Sequence, residues 1–311
     1  MTTVGKEHPL LYQQLRFLAS KEQFRDAPFK TAARLGFWKI HCLLSKGAII
    51  ELEDTCLRMS LPPDWHGHPK LLYALGWRFD PELPFLAENI SKGAVVFDIG
   101  ANIGTWSLIL SEAVGANGRI FAYEPTLSTY DALVNNVALN SKSNVFAFRY
   151  ALSNNDQQIR IYHDVDSSRN SLGQTRNHDL VDYEEVPART LDSLAKELLI
   201  ERLDFIKIDV EGAEPLVLKG ASTTLNRFKP AILFEVNPKA LAELNLQYDS
   251  SFRILADLSY RFYELRSDTL REISQCPLDG GNFWAVHSSD QRLLDSRDHP
   301  PLNRVGFRPG R

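Results

Sequence analysis

The sequence predicts an α/β fold built on a mainly parallel sheet, and three observations carry that expectation. Short apolar, β-branched runs alternate with longer helical stretches through the middle of the chain, the pattern of strand–helix–strand units with helices on both faces. The last two strand-like runs follow one another with no long helix between them, which predicts an antiparallel pair at the sheet edge. Apolar residues make up 44% of 311 residues, enough for one large domain plus an extension.

Taken in order, residues 8–46 read as two helices with amphipathic spacing, for example Leu11, Leu15 and Leu18, broken near Asp26–Pro28. "AIIELEDTCLRMSL" reads as a hairpin turning near Glu53–Asp54, followed by a Pro- and His-rich loop over Pro62–Pro69. "DPELPFLAENI" is a helix with Asp80 as its cap and Pro81 at its first position. From there "AVVFDIG", "GRIFAYEP", "NVFAFRYA", "DFIKID" and "PAILFEV" are strands. They are separated by the helices "TWSLILSEAV", "LSTYDALVNNVALN", "RTLDSLAKELL" and "AEPLVLKGASTTLN". "KALAELN" and "SFRILADLSY" are helical, and "RFYEL" and "GNFWAVH" are the closing strands. Asn154–Val186 is polar, with one strand at "QIRIYH" and then a long loop, either a lid or an irregular excursion. The tail "DHPPLNRVGFRPGR" has no periodicity. The organisation expected is an extension over 1–80, a ligand-binding domain over 81–290 and an irregular tail over 291–311.

A net charge of −4 argues against a general nucleic-acid binder. Residues 1–50 are locally basic, with eight Lys/Arg against three Asp/Glu, or +5. A solvated helix face is the preferred reading of that excess, and contact with an anionic surface is the sharper one. The three cysteines, Cys42, Cys56 and Cys276, have no metal-ligand spacing, and a sparse, odd set suits a reducing compartment. No stretch has the length and apolarity of a membrane span, and the amino terminus lacks a signal-peptide pattern, so a cytoplasmic location is the expectation.

"VFDIGANIG" places Asp98, Gly100, Asn102 and Gly104 in the turn between the first parallel strand and its helix. Ligands bind at the carboxyl edge of such sheets, beside the topological switch point. Glycine at 100 lets the backbone approach a ligand, and glycine at 104 allows close packing of the helix. A dinucleotide fingerprint would carry glycine where Asn102 stands, so a nicotinamide-dependent oxidoreductase is the runner-up. Asp98, two residues ahead of the loop, suits the methionine end of S-adenosylmethionine better than a pyrophosphate. The second strand ends in Glu124, where a carboxylate can accept from a ribose diol. The third ends at Arg149–Leu152, where Ala151 and its neighbours can flank an adenine ring.

With these residues in place, "VVFDIGANIGTWSLIL", "AYEPTLSTYDALVNNVALN", "RTLDSL" and "DFIKIDVEGAEPLVLKGA" resemble the FkbM-type S-adenosylmethionine-dependent methyltransferases, over about residues 80–290. The resemblance implies the class I methyltransferase fold: a Rossmann-like, seven-stranded, mostly parallel sheet with an antiparallel last strand. It implies O-methylation of a sugar, glycan or other small natural product. It carries Asp98, Gly100, Asn102, Gly104 and Glu124 to the cofactor, and Lys207, Asp209, Glu211 and Glu214 to the signature run. A module that binds cofactor or partner without turnover is the reading from a different class.

The fourth strand raises its own question, since Lys207, Asp209, Glu211 and Glu214 crowd the end of a run that otherwise reads as core. Lys207 and Asp209 are two apart and share a face. A buried lysine needs a partner, either Asp209 or Glu235. Asp209 is the expected general base, with Lys207 tuning it; Glu211 serves either the site or the helix start, and Glu214 the helix start. A Mg²⁺ variant, held by Asp209, Glu235 and Asn237, is the less favoured reading, behind a simple Glu235–Lys207 pair. His66 and His68 of "HGH" are solvated or belong to the acceptor site, with transition-metal binding the remaining option.

Overall fold

The computed structural model describes residues 18–64, 67–163 and 183–290. The amino-terminal extension holds helices α1 (Glu22–Asp26) and α2 (Pro28–Leu43), the hairpin β1 (Ala48–Glu51) and β2 (Arg58–Leu61), and α3 (His68–Leu75). Helix α4 (Glu82–Asn89) then leads into the alternating region. It comprises β3 (Val95–Ile99), α5 (Thr105–Val114), β4 (Arg119–Tyr123), α6 (Leu127–Leu139), β5 (Val145–Phe148), β6 (Ala151–Leu152), β7 (Gln157–Tyr162), β8 (Tyr183–Arg189) and α7 (Leu191–Glu197). The remainder is β9 (Phe205–Ile208), α8 (Glu214–Lys219), α9 (Ser222–Phe228), β10 (Ala231–Val236), α10 (Pro238–Glu243), α11 (Ser250–Asp257), β11 (Tyr260–Arg266), β12 (Thr269–Ile273) and β13 (Gly281–His287).

The main sheet has eight strands in the order β12-β11-β13-β10-β9-β3-β4-β5. β5, β4, β3, β9 and β10 are parallel, and β13 inserts antiparallel between β10 and β11. This is the class I methyltransferase architecture, with β12 as an additional edge strand antiparallel to β11. β12 went unread because "TLREI" has two charged residues and only Leu270 buried. β8 takes up the end of the expected loop and the Arg189 expected to open the next helix: Pro187 lies within it and three of its seven residues are acidic or exposed. It pairs with β7 and β6 in a separate three-stranded sheet. "NVFAFRYA" therefore splits, with Ala151 in this small sheet rather than the large one. The hairpin and the break between α1 and α2 fall where the sequence places them. α4 begins at Glu82, one residue later than expected, with the Asp80 carboxylate accepting the Glu82 amide at 3.3 Å. Residues 1–17, His66, most of the polar loop and the tail lie outside the described residues.

Register assigns side chains to the faces. Asp98 pairs with Lys207, Lys207 with Leu233, and Leu233 with Trp284, so the four form one row across β3, β9, β10 and β13. That face joins α4, α5 and the extension in a single core, with Val96, Phe205, Leu108, Phe85, Trp38, Leu52, Met59 and Trp77 in one cluster. The opposite face carries Phe97, Ile206, Ile208, Ile232 and Phe234, under α7, α8, α9 and α11. The extension is thus packed into the body of the fold. Buried Asn136 of α6 fastens it there: its Oδ1 accepts from Ser60 at 2.7 Å, and its Nδ2 donates to the Ile103 carbonyl at 2.9 Å.

Candidate active site

The carboxyl ends of β3, β4, β9 and β10 surround a cavity of about 290 Å³. Its floor is the turn after β3. Gly100 has φ +78°, and its amide and that of Ala101 both donate to the Tyr123 carbonyl, at 2.9 and 3.0 Å. A Cβ at Gly100 would lie 1.8 Å from the Asp209 carbonyl oxygen. Glycine is required here by the neighbouring strand end, before any ligand is considered. Gly104, at φ +91°, makes room for Leu133 of α6, whose Cδ1 would be 2.6 Å from a Cβ; its constraint is helix–helix packing, where helix–strand packing was expected.

Glu124 closes one end. Its carboxylate is almost fully buried and accepts from the Asn102 amide at 2.9 Å, the Thr126 amide at 3.1 Å and the Thr129 hydroxyl at 2.7 Å. Burial raises its carboxyl above the ordinary range, against these three donors. Asn102 has φ +50° and is held there by that bond. A carboxylate has about four acceptor sites, so three donors leave one for a ligand. Tyr150, Ala151, Leu152 and Ile161 continue the wall.

The other end is acidic. Lys207, 6% exposed, lies 3.2 Å from the Asp209 carboxylate and 3.7 Å from that of Asp98, and donates to the Gly100 carbonyl at 3.1 Å. Burial works to release its proton, but Asp209 and Asp98 outweigh it and hold the ammonium charged. Its ion partners are these two aspartates; Glu235, the expected alternative, is not within ion-pair distance. Asp98 is fully buried beneath the loop and is not among the lining residues. It accepts from Ser107 at 2.6 Å, and burial pushes its carboxyl up against the pull of Lys207.

Asp209 presents a side chain 47% exposed to the cavity. Glu211, at φ +51°, and Glu235 join it, and one oxygen from each of the three lies within 4.8 Å of the others. This set could hold a divalent cation. It shares Asp209 and Glu235 with the expected set, while the Asn237 side chain caps α10, accepting from the Ala240 amide at 3.2 Å. Burial, then the charges of Asp209 and Glu214, raise Glu235 to about 8. Glu214 is buried and does not line the cavity. Its Oε1 accepts from the Val210 and Gly212 amides at 3.0 and 3.3 Å, so it holds the turn that carries Asp209 and Glu211. The charges crowding this strand end therefore divide the work: Lys207 and Glu214 fix the turn, and Asp209 and Glu211 face the cavity.

Among the lining residues, His68 was a candidate for the acceptor site, and Asn282 and Phe79 had no signal in the sequence. Asn282 of β13 lies opposite Glu235. His68, Phe79 and Asp80 arrive from the extension; His68 Nε2 is 3.2 Å from the Thr105 hydroxyl, and its ring sits 5.3 Å from Phe79. Trp106 could have been found, since it follows the glycine loop within the first helical turn and lies 5.7 Å from the Lys207 ammonium.

Residues 98–262, just over half of the chain, match the family model described as the methyltransferase FkbM domain. The chain is 27% identical over 164 residues to the hexuronic acid methyltransferase AglP of Haloferax volcanii, covering 51% of this chain and 64% of that protein. It is 27% identical over 161 residues to the methyltransferase sdnD of Sordaria araneosa, covering 42% and 62%. It thus spans under two thirds of the length of these relatives. Among solved structures it resembles the methyltransferase FkbM of Methylobacillus flagellatus, with a TM-score of 0.42 and 16% identity over 70% of this chain and 54% of that one.

Proposed function

Because this chain belongs to the methyltransferase FkbM family, we propose that it is an S-adenosylmethionine-dependent O-methyltransferase acting on a hydroxyl of a sugar, glycan or other small natural product. The observation that carries the reading is the division of the cavity. One end offers the Gly100–Asn102 loop, the Glu124 carboxylate and the Tyr150–Leu152 wall to a nucleoside and its amino-acid tail. The other end offers Asp209 to an acceptor. Glu124 and the loop fit the cofactor's ribose and methionine portions, and Ala151 with its neighbours fits the adenine. Bound cofactor supplies an electrophilic methyl group. The residues must then align the acceptor oxygen with it and remove the hydroxyl proton.

Asp209 takes that proton in this reading. The Lys207 ammonium, anchored to Asp98 and the Gly100 carbonyl, holds the Asp209 carboxylate toward the cavity. Glu211 and Glu235 flank the acceptor, with Asp80 and Asn282 beyond them. This group of carboxyls, with Glu235 raised toward its protonated form, suits a neutral or amine-bearing acceptor better than a polyanion. Metal-free action is favoured here, since Lys207 neutralises Asp209 directly; chelator sensitivity of the wild-type protein would reverse that preference.

Thermal shift and calorimetry with S-adenosylhomocysteine, S-adenosylmethionine and NAD test the cofactor. Binding of the first two is expected, and selective binding of NAD would overturn the assignment. Incubation with isotopically labelled cofactor and cell extract, followed by mass spectrometry, then identifies the acceptor. Transfer to oxygen is expected; tight cofactor binding with no labelled product in any extract would favour the non-catalytic module.

A further inference from the structure

α2 buries one side and leaves the other to solvent. Thr31 and Trp38 face the core, and Trp38 donates from Nε1 to the Asp64 carbonyl at 2.8 Å. On the opposite side Phe29, Phe37, Ile40 and Leu43 are 89, 60, 52 and 75% exposed. At about 100° per residue these four fall within a stripe roughly 120° wide, centred opposite Trp38. Lys30 borders the stripe on one side and Lys39 on the other, both at exposed positions. Leu44, just past the last turn, is 61% exposed and is followed by exposed Lys46.

A single exposed leucine needs no explanation, but a continuous apolar stripe of large side chains on one helix does. The charge pattern selects the occupant. Among the described residues 18–50, six Lys/Arg stand against two Asp/Glu, or +4, on a chain that is −4 overall, so the helical stretch that carries the exposed stripe is locally basic, with Lys30 and Arg34 also reaching Glu53 at 3.8 and 3.7 Å. A second copy docked face to face would bring two lysine rims together. An anionic bilayer surface satisfies both features at once: apolar side chains enter the acyl boundary and lysines meet the headgroups. No described helix is long and apolar enough to cross a membrane, so this contact lies in the interface plane.

We propose that the exposed face of α2 docks the protein reversibly onto anionic membrane surfaces. The proposal stands on the fold and is independent of the assigned reaction. The test is co-sedimentation of the full chain with vesicles of phosphatidylcholine alone and of phosphatidylcholine with phosphatidylglycerol, at low and high salt, with light scattering in parallel. Binding to the anionic vesicles alone, weakened by salt, is expected. Ile40→Glu with Leu43→Glu should reduce it at least tenfold while melting temperature and S-adenosylhomocysteine affinity stay unchanged. Lys30→Gln with Lys39→Gln should lower binding by less and flatten its salt dependence. No binding to anionic vesicles, binding indifferent to all four substitutions, or a stable dimer that the glutamates dissociate would each overturn the proposal.

Discussion

The two ends of the cavity treat carboxylates in opposite ways. Glu124 is buried, accepts three hydrogen bonds and holds the loop that surrounds it. Asp209, Glu211 and Glu235 converge at the other end, where the Lys207 ammonium pairs with Asp209. A carboxylate satisfied by amides and a hydroxyl is part of the frame. Carboxyl groups gathered at a cavity wall can take up a proton, an acceptor or a cation. The frame end suits recognition and the open end suits chemistry, and substitutions should separate the two.

The largest effect is expected at Gly100. A valine there drives its Cβ into the Asp209 carbonyl at a φ that side chains rarely adopt, so the two ends lose their common floor. Gly100→Val should lower the melting temperature and abolish S-adenosylhomocysteine binding together. A variant that melts normally and binds normally would show that the turns after β3 and β9 are not coupled.

Next is Asp209→Asn, which keeps shape and removes the proton acceptor. Turnover should fall by about two orders of magnitude or more, with cofactor affinity within a few-fold of wild type. Equal assays with and without EDTA sharpen the outcome. If chelator silences the wild type and Mg²⁺ restores it, Glu211→Gln and Glu235→Gln should cost activity in the same way. Full activity of Asp209→Asn would place the chemistry elsewhere.

At the frame end, Glu124→Ala removes a charge-assisted acceptor, a bond of about 1.5–3 kcal/mol. Affinity for S-adenosylhomocysteine by calorimetry should drop at least about tenfold. Because Glu124 also holds Asn102, the melting temperature should fall as well; an unchanged dissociation constant would make it purely architectural.

The last effect is read in stability alone, as a pH dependence. Burial, against the Val210 and Gly212 amides, raises Glu214 from 4.5 to about 7. The folded state therefore holds this proton more tightly than the unfolded chain, and the stability it contributes below pH 4.5 is lost as pH rises through about 7. The difference in unfolding free energy between Glu214→Gln and wild type should shift in favour of the variant over that window, by on the order of 3 kcal/mol. Parallel denaturation curves at pH 5 and pH 8 measure it. An identical pH response would mean that Glu214 titrates normally.

What could be read without coordinates follows from local rules. β3, β4, β9 and β10 are apolar runs with one fate, and the glycine loop, Glu124 and Asp209 sit at strand ends that any parallel sheet brings to one edge. β8 and β12 escaped because their pairing depends on partners, not on their own composition. Asn237 shows a related limit: the same side chain can ligate a cation or cap a helix, and only the position of Ala240 reveals the cap.

By itself, then, the sequence determined the alternation, the carboxyl edge and the residues carried there, because periodicity and strand-end chemistry are encoded within a few neighbouring positions. The tertiary structure alone decided that Lys207 also pairs with Asp98, and that Asn282 meets Glu235. It alone decided that Phe79 and Asp80 wall the cavity and that α2 turns an apolar face outward. These are contacts between residues distant along the chain. They are set by which strands lie side by side and which helix face finds a partner, quantities that no short window of sequence contains.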